Sequence, residues 1–171
     1  AQPPQLPGRD RMAAMWWQVR EILESRGYKG YEVSNYAQPG FESRHNSHYW
    51  RGGLYFGLGA GAHGHVRTGD GRFRYGNTAD VSTYMAQAES GARSAPGTCA
   101  TVELMSDEDL ARELIMLGLR TVEGIDISRI ARLAPEKISG WRAVFEKWRC
   151  RGLVILSDGR LQPLPHAMIL A

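Results

Sequence analysis

The chain has 171 residues, 43% hydrophobic and 23% charged, the balance of a folded globular protein of one ordinary domain or two small ones, which excludes disorder and fibrous repeats. Lys plus Arg at 21 against Asp plus Glu at 18 gives +3; with only Lys29, Lys137 and Lys147 as lysines, guanidinium carries nearly all the positive charge, which suits bidentate pairing with carboxylate or phosphate, and its interleaving with acids argues against a nucleic-acid partner. No apolar run approaches the roughly 18 to 20 residues of a membrane span, and the Pro-rich start lacks the apolar core of a signal peptide, so a soluble cytoplasmic protein is expected.

In chain order, helical spacing of Met12, Met15, Trp16, Val19, Ile22 and Leu23 predicts a helix over 11–26 with Asp10 as N-cap and Gly27 past its end. A strand over 31–36 follows, and the pair reads as one αβ unit of a parallel sheet. The segment 37–52 reads as a loop, 53–58 as a second strand, and 57–65 as a glycine-rich loop at its end. A helix over 78–89 is expected, with Val81, Tyr84, Met85 and Ala88 on one face, and 90–101 reads as a linker. Ser106-Asp107-Glu108-Asp109 is a capping box opening the next helix, Asp126 caps a shorter one, and Pro135 ends it. A third helix over 136–149 carries Trp141, Val144, Phe145 and Trp148 as a core stripe, and Asp158-Gly159 marks a hairpin turn. Three helices and a hairpin make the last third winged-helix-like.

The densest cluster of chemically capable side chains is the run from Asn35 to Trp50, with two imidazoles, a guanidinium and several aromatics. Its pattern Tyr31-Glu32-Val33-Ser34-Asn35-Tyr36-Ala37-x-Pro39-Gly40, continuing to His45-Asn46-x-x-Tyr49-Trp50, resembles the HemW and HemN group of radical S-adenosylmethionine proteins. Gly57-Leu58-Gly59-Ala60-Gly61-Ala62-His63 is similar to that group's glycine-rich strand end. Leu117-Gly118-Leu119-Arg120, with Gly124-Ile125 after it, is similar to a stretch of its C-terminal domain. The resemblance runs from about residue 10 onward, and His45 to Trp50 points to the heme chaperone branch.

The resemblance implies an α/β fold: 1–92 as the C-terminal part of a radical S-adenosylmethionine partial (β/α) barrel, and 103–171 as a HemN-type, winged-helix-like C-terminal domain. It implies heme as ligand, with S-adenosylmethionine and a [4Fe-4S] cluster belonging to a full-length parent. The group's three-cysteine cluster motif is absent. Cys99 and Cys150 alone cannot hold such a cluster, so the chain is expected to be a C-terminal portion that does no radical chemistry unaided, completed by an N-terminal barrel half.

Heme binding by the 44–50 segment is chemically reasonable from the residue types. His45 can ligate iron, Tyr49 and Trp50 can pack on the macrocycle, Arg44 can pair with a propionate, and Asn46 completes the run. The alternative is that His45 and Asn46 serve the loop backbone while Tyr49 and Trp50 pack as core; the resemblance favours heme. Gly59, Gly61 and His63 are implied to edge the S-adenosylmethionine pocket, although tight turning explains such glycines equally. His63 and His65 share a strand face but lack further metal ligands. The function expected is a heme-binding chaperone that passes heme to an acceptor hemoprotein. The alternative is the distal part of an oxygen-independent coproporphyrinogen III oxidase.

Overall fold

The computed structural model describes residues 6–90 and 99–169. They form a mixed α/β structure in two compact units, one made of residues 1–51 with 114–171 and the other of residues 52–113.

In the first unit, α1 (Arg9–Glu24) starts two residues earlier than the apolar spacing suggests, and Gly8, not Asp10, is its N-cap. Gly8 is already extended, so Asp10 falls in the first turn, where its charge complements the helix dipole. Trp16 turns its indole N–H onto the Val33 carbonyl at 2.9 Å, and the Arg20 guanidinium lies 5.5 Å from the Trp16 ring centroid. The strand expected over 31–36 does not form. Instead β1 (Lys29–Gly30) and β2 (Tyr36–Ala37) pair antiparallel. Between them the Glu32 carboxylate accepts the Ser34 backbone N–H, and Ser34 and Asn35 are residues that favour a turn over an extended run. Glu32 is buried and bridges to Thr121. The loop expected over 37–52 contains a helix, α2 (Arg44–Trp50).

In the second unit, the strand expected over 53–58 shrinks to one bridge between Tyr55 and His65, and Phe56 and Leu58 are exposed. The glycine-rich loop ends earlier than expected, because His63 and His65 already belong to β3 (His63–Thr68). With β4 (Gly71–Asn77) and β5 (Cys99–Met105) it forms an antiparallel sheet of order β3-β4-β5. The helix α3 (Val81–Glu89) is capped by Asp80, but Val81 and Met85 face solvent and are not core. Residues 91–98 of the expected linker lie outside the described residues, and its remaining end is the start of β5.

The helix α4 (Asp107–Gly118) opens on the expected capping box: Ser106 donates its N–H to the Asp109 carboxylate at 3.0 Å and accepts the Asp109 N–H at 3.1 Å. Back in the first unit, β6 (Ile125–Asp126) leads into α5 (Ile127–Leu133), capped by Asp126 as expected, and then α6 (Ile138–Cys150). On α6 only Phe145 is fully buried; Trp141 and Trp148 are partly covered and Val144 is exposed, so the expected stripe is narrower than its spacing suggests. The hairpin of β7 (Val154–Ser157) and β8 (Arg160–Pro163) forms as expected, with Asp158 and Gly159 both at positive φ, as a tight two-residue turn requires. It gains a third strand, β6 against β8, and is followed by α7 (Pro165–Met168). Ile125, Ile130, Phe145, Val154, Leu161 and Met168 form the core here. Every described strand pair is antiparallel, so the parallel αβ unit expected in the first third is not among them.

Candidate functional site

The helix α2 is built from residues of middling helix propensity. Ser43 starts it by accepting the Asn46 backbone N–H at 3.2 Å. Seven residues fall well short of the roughly 12 to 15 that an isolated helix needs, so α2 depends on what it docks against. All five expected heme contacts lie on it: Arg44 and His45 exposed, Asn46, Tyr49 and Trp50 partly buried. His45 and Tyr49, one turn apart, meet edge to face with ring centroids 4.7 Å apart. The His48 ring lies 6.3 Å from Tyr49.

Trp50 serves a different face. With Ser47 and Arg51 it lines a cavity of about 360 Å³ whose other walls include Tyr31, Leu114 and Ile130. At about 100° per residue, positions 47, 50 and 51 point to the side of the helix opposite 45 and 49. The structure thus brings His45 and Tyr49 together and sets Trp50 apart from them.

The cavity is rimmed by charges. Arg51 Nε donates to Glu123 Oε2 at 3.0 Å while its Nη2 donates to Oε1. Arg129 donates to the Arg51 carbonyl at 2.9 Å. Arg160 donates to the Glu123 and Gly124 carbonyls at 2.7 and 3.1 Å. The Arg51 hydrogen bond holds the Glu123 carboxyl below the usual carboxylate range, and the Arg129 backbone N–H does the same for Asp126. Sequence reasoning missed Arg51, Glu123, Arg129 and Arg160. Arg51 and Glu123 are 72 positions apart, and the only advance signal was the preference for arginine.

In the second unit the glycine-rich segment is tied down by its own neighbours. Gly57 donates to the Tyr75 hydroxyl at 2.9 Å, Gly59 to the Tyr84 hydroxyl at 3.1 Å and Gly61 to the Thr78 carbonyl at 2.8 Å. The Asn77 amide donates to the Gly57 and Gly59 carbonyls at 3.2 and 2.9 Å. A Cβ on Gly57 would stand 2.2 Å from the His63 carbonyl oxygen, whereas Gly59 and Gly61 need glycine for their positive φ, and beside Gly59 there is open space. His63 is exposed at the start of β3 and His65 is buried. His65 Nε2 lies 3.3 Å from Arg72 Nη1, and burial, then Arg72, pushes its pKa down, so the ring is neutral.

Among the described residues no three His, Cys, Asp or Glu side chains are grouped to hold a metal. Cys99 and Cys150 are both free, and burial pushes the Cys99 thiol up, away from the thiolate a metal prefers. A [4Fe-4S] cluster does not fit the residues of this chain. No described helix is long and apolar enough to cross a membrane.

Residues 105–170 match the HemN C-terminal domain family. The chain is 36% identical over 124 residues to the heme chaperone HemW of Lactococcus lactis, covering 72% of this chain and 30% of that protein. It is 35% identical over 155 residues to the heme chaperone HemW of Bacillus subtilis, covering 90% of this chain and 38% of that protein. The chain thus spans about a third of the length of these curated relatives. Among solved structures, the radical SAM enzyme coproporphyrinogen III oxidase (HemN) from Escherichia coli shares the fold with a TM-score of 0.68 at 16% identity, covering 96% of this chain and 40% of that one. This chain is therefore similar to the heme chaperone HemW along most of its length, and its residues 105–170 match the HemN C-terminal domain family.

Proposed function

We propose that this chain is the heme-holding portion of a HemW-type heme chaperone of the cytoplasm, with heme as cargo for an acceptor hemoprotein. The observation that carries the reading is the exposed His45 imidazole set edge-on to Tyr49, on a helix whose opposite face is anchored. The imidazole can offer one ring nitrogen to the iron, Tyr49 orients that ring and gives the macrocycle an aromatic edge, and exposed Arg44 can pair with a propionate. Trp50 holds the helix from its other side, and the Asn46 backbone N–H is taken by the Ser43 cap. Similarity to heme chaperones along most of the chain supports this reading.

In the same proposal, residues 1–92 correspond to the late part of a partial barrel. Residues 103–171 are the C-terminal domain, an extent supported by the family match at 105–170 and by its three helices followed by a hairpin. Gly59, Gly61 and His63 are proposed to edge an S-adenosylmethionine pocket in a longer parent, a role compatible with the open space beside Gly59. The second reading, the distal part of a coproporphyrinogen III oxidase, is favoured by the fold neighbour. Conversion of coproporphyrinogen III by a parent protein containing this chain would decide for it.

Hemin titration tests the heme reading. The wild-type chain should give a shifted Soret band, His45→Ala should weaken binding about tenfold or more, and His48→Ala should weaken it less. Equal spectra for wild type and His45→Ala would overturn His45 ligation.

A further inference from the structure

Taken together, the contacts at the C-terminal end of α2 do more than close a cavity. Arg51 is the C-cap of α2, and its guanidinium makes the two-pronged pair with Glu123 while its carbonyl, one of the orphan acceptors at a helix end, is filled by Arg129. Glu123 is itself fixed. Its carbonyl accepts from Arg160 on β8, and its segment is stitched to 31–33 by Val33 N–H to the Arg120 carbonyl at 2.9 Å and Val122 N–H to the Tyr31 carbonyl at 3.2 Å. The short helix is thus fastened at one end to the hydrogen-bonded segment 120–124, through residues that lie on the face away from His45.

We infer that Arg51 and Glu123 are positioning residues: their pair, with Arg129 behind it, fixes the placement of α2 and so the presentation of the His45 and Tyr49 face, without touching what that face binds. An exposed isolated ion pair contributes little, but a two-pronged pair inside a network of three arginines and two acids is the exception, and a seven-residue helix depends on such tertiary contacts. The consequence for ligand binding rests on the heme reading above; the consequence for α2 does not.

The test uses the chain with and without hemin and two readouts, amide hydrogen exchange of residues 44–51 and hemin affinity, in wild type, Arg51→Ala, Glu123→Gln, Arg51→Lys and the double variant Arg51→Ala/Glu123→Gln. Far-UV circular dichroism should be nearly unchanged in all of them. The single losses should speed exchange over 44–51 about tenfold without hemin and weaken hemin binding about threefold to tenfold. The double variant should be no worse than either single, because both remove one interaction. Arg51→Lys should fall between, since an ammonium keeps the charge but not the fork. Unchanged exchange over 44–51, or additive effects in the double variant, would overturn the positioning role. Faster exchange with unchanged hemin affinity would overturn its link to ligand presentation. A wild-type chain that binds no hemin would overturn the heme reading, and exchange alone would then judge the fastening of α2.

Discussion

The two segments richest in unusual residues, α2 with its flanks and the glycine-rich run before β3, invite the same functional suspicion in sequence but differ in structure. In the glycine-rich run nearly every oddity has a local cause: Gly57 clears the His63 backbone, Gly59 and Gly61 sit at positive φ, Asn77 and two tyrosine hydroxyls occupy the backbone groups, and His65 is buried beside Arg72. On α2 the local causes cover only one side. Ser43, Ser47, Trp50 and Arg51 are explained by capping and by the cavity, while His45 is exposed with Tyr49 as its aromatic partner. A chemically capable residue is a better functional candidate when the fold has not already used it.

That contrast can be broken by mutation. The largest effect is expected from Gly57→Ala, whose Cβ would meet fixed backbone; a loss of about 3 kcal/mol in urea unfolding is expected, and a neutral result would reopen a ligand-based reason for the glycine. Next comes the acid limb of stability. Native His65 is held neutral with its pKa below that of the unfolded chain, so the unfolded state takes up a proton the native state refuses. Stability is therefore full above about pH 6.5 and falls as pH drops toward the native pKa, by at most about 1.4 kcal/mol per pH unit from this group. His65→Gln should flatten that limb, and an unchanged limb would move its origin to other groups. Asp126→Ala should cost about 1 kcal/mol, the ordinary value of a lost helix cap, in the same unfolding measurement. His45→Ala should change stability by less than about 0.5 kcal/mol, and a larger loss would place His45 among the residues the fold has used.

Capped, apolar-periodic helices were legible in sequence. Asp126 and the Ser106 to Asp109 box act as their spacing indicates, and Asp158-Gly159 makes the turn it signals. The five site residues expected on 44–50 are neighbours in the structure only because they are neighbours in the chain; their division between two faces needed the helix to be known. That helix was hidden, since Pro39 and Gly40 suggest a loop and His, Asn, Ser, Tyr and Trp give no apolar periodicity, leaving Ser43 as the one start signal. The strand expected over 31–36 does not form for a related reason: its strand propensity is outweighed by Ser34-Asn35, a pair that favours a turn. The β5 strand and the Arg51–Glu123 pair depend on partners far along the chain, which local pattern does not reveal.

The order in which the two units are written along the chain has a consequence for synthesis. Residues 52–113 form one compact unit without interruption, whereas the other unit is assembled from 1–51 and 114–171. A nascent chain leaving the ribosome therefore holds α1, β1, β2 and α2 before Thr121, Val122 and Glu123 exist to receive them, while the inserted segment already has the strands of its own sheet. The stretch 9–51, with Met12, Met15, Val19 and Ile22 exposed in this structure, is the part most in need of protection during that wait, and slowing translation after residue 113 should lengthen its capture by holdase chaperones.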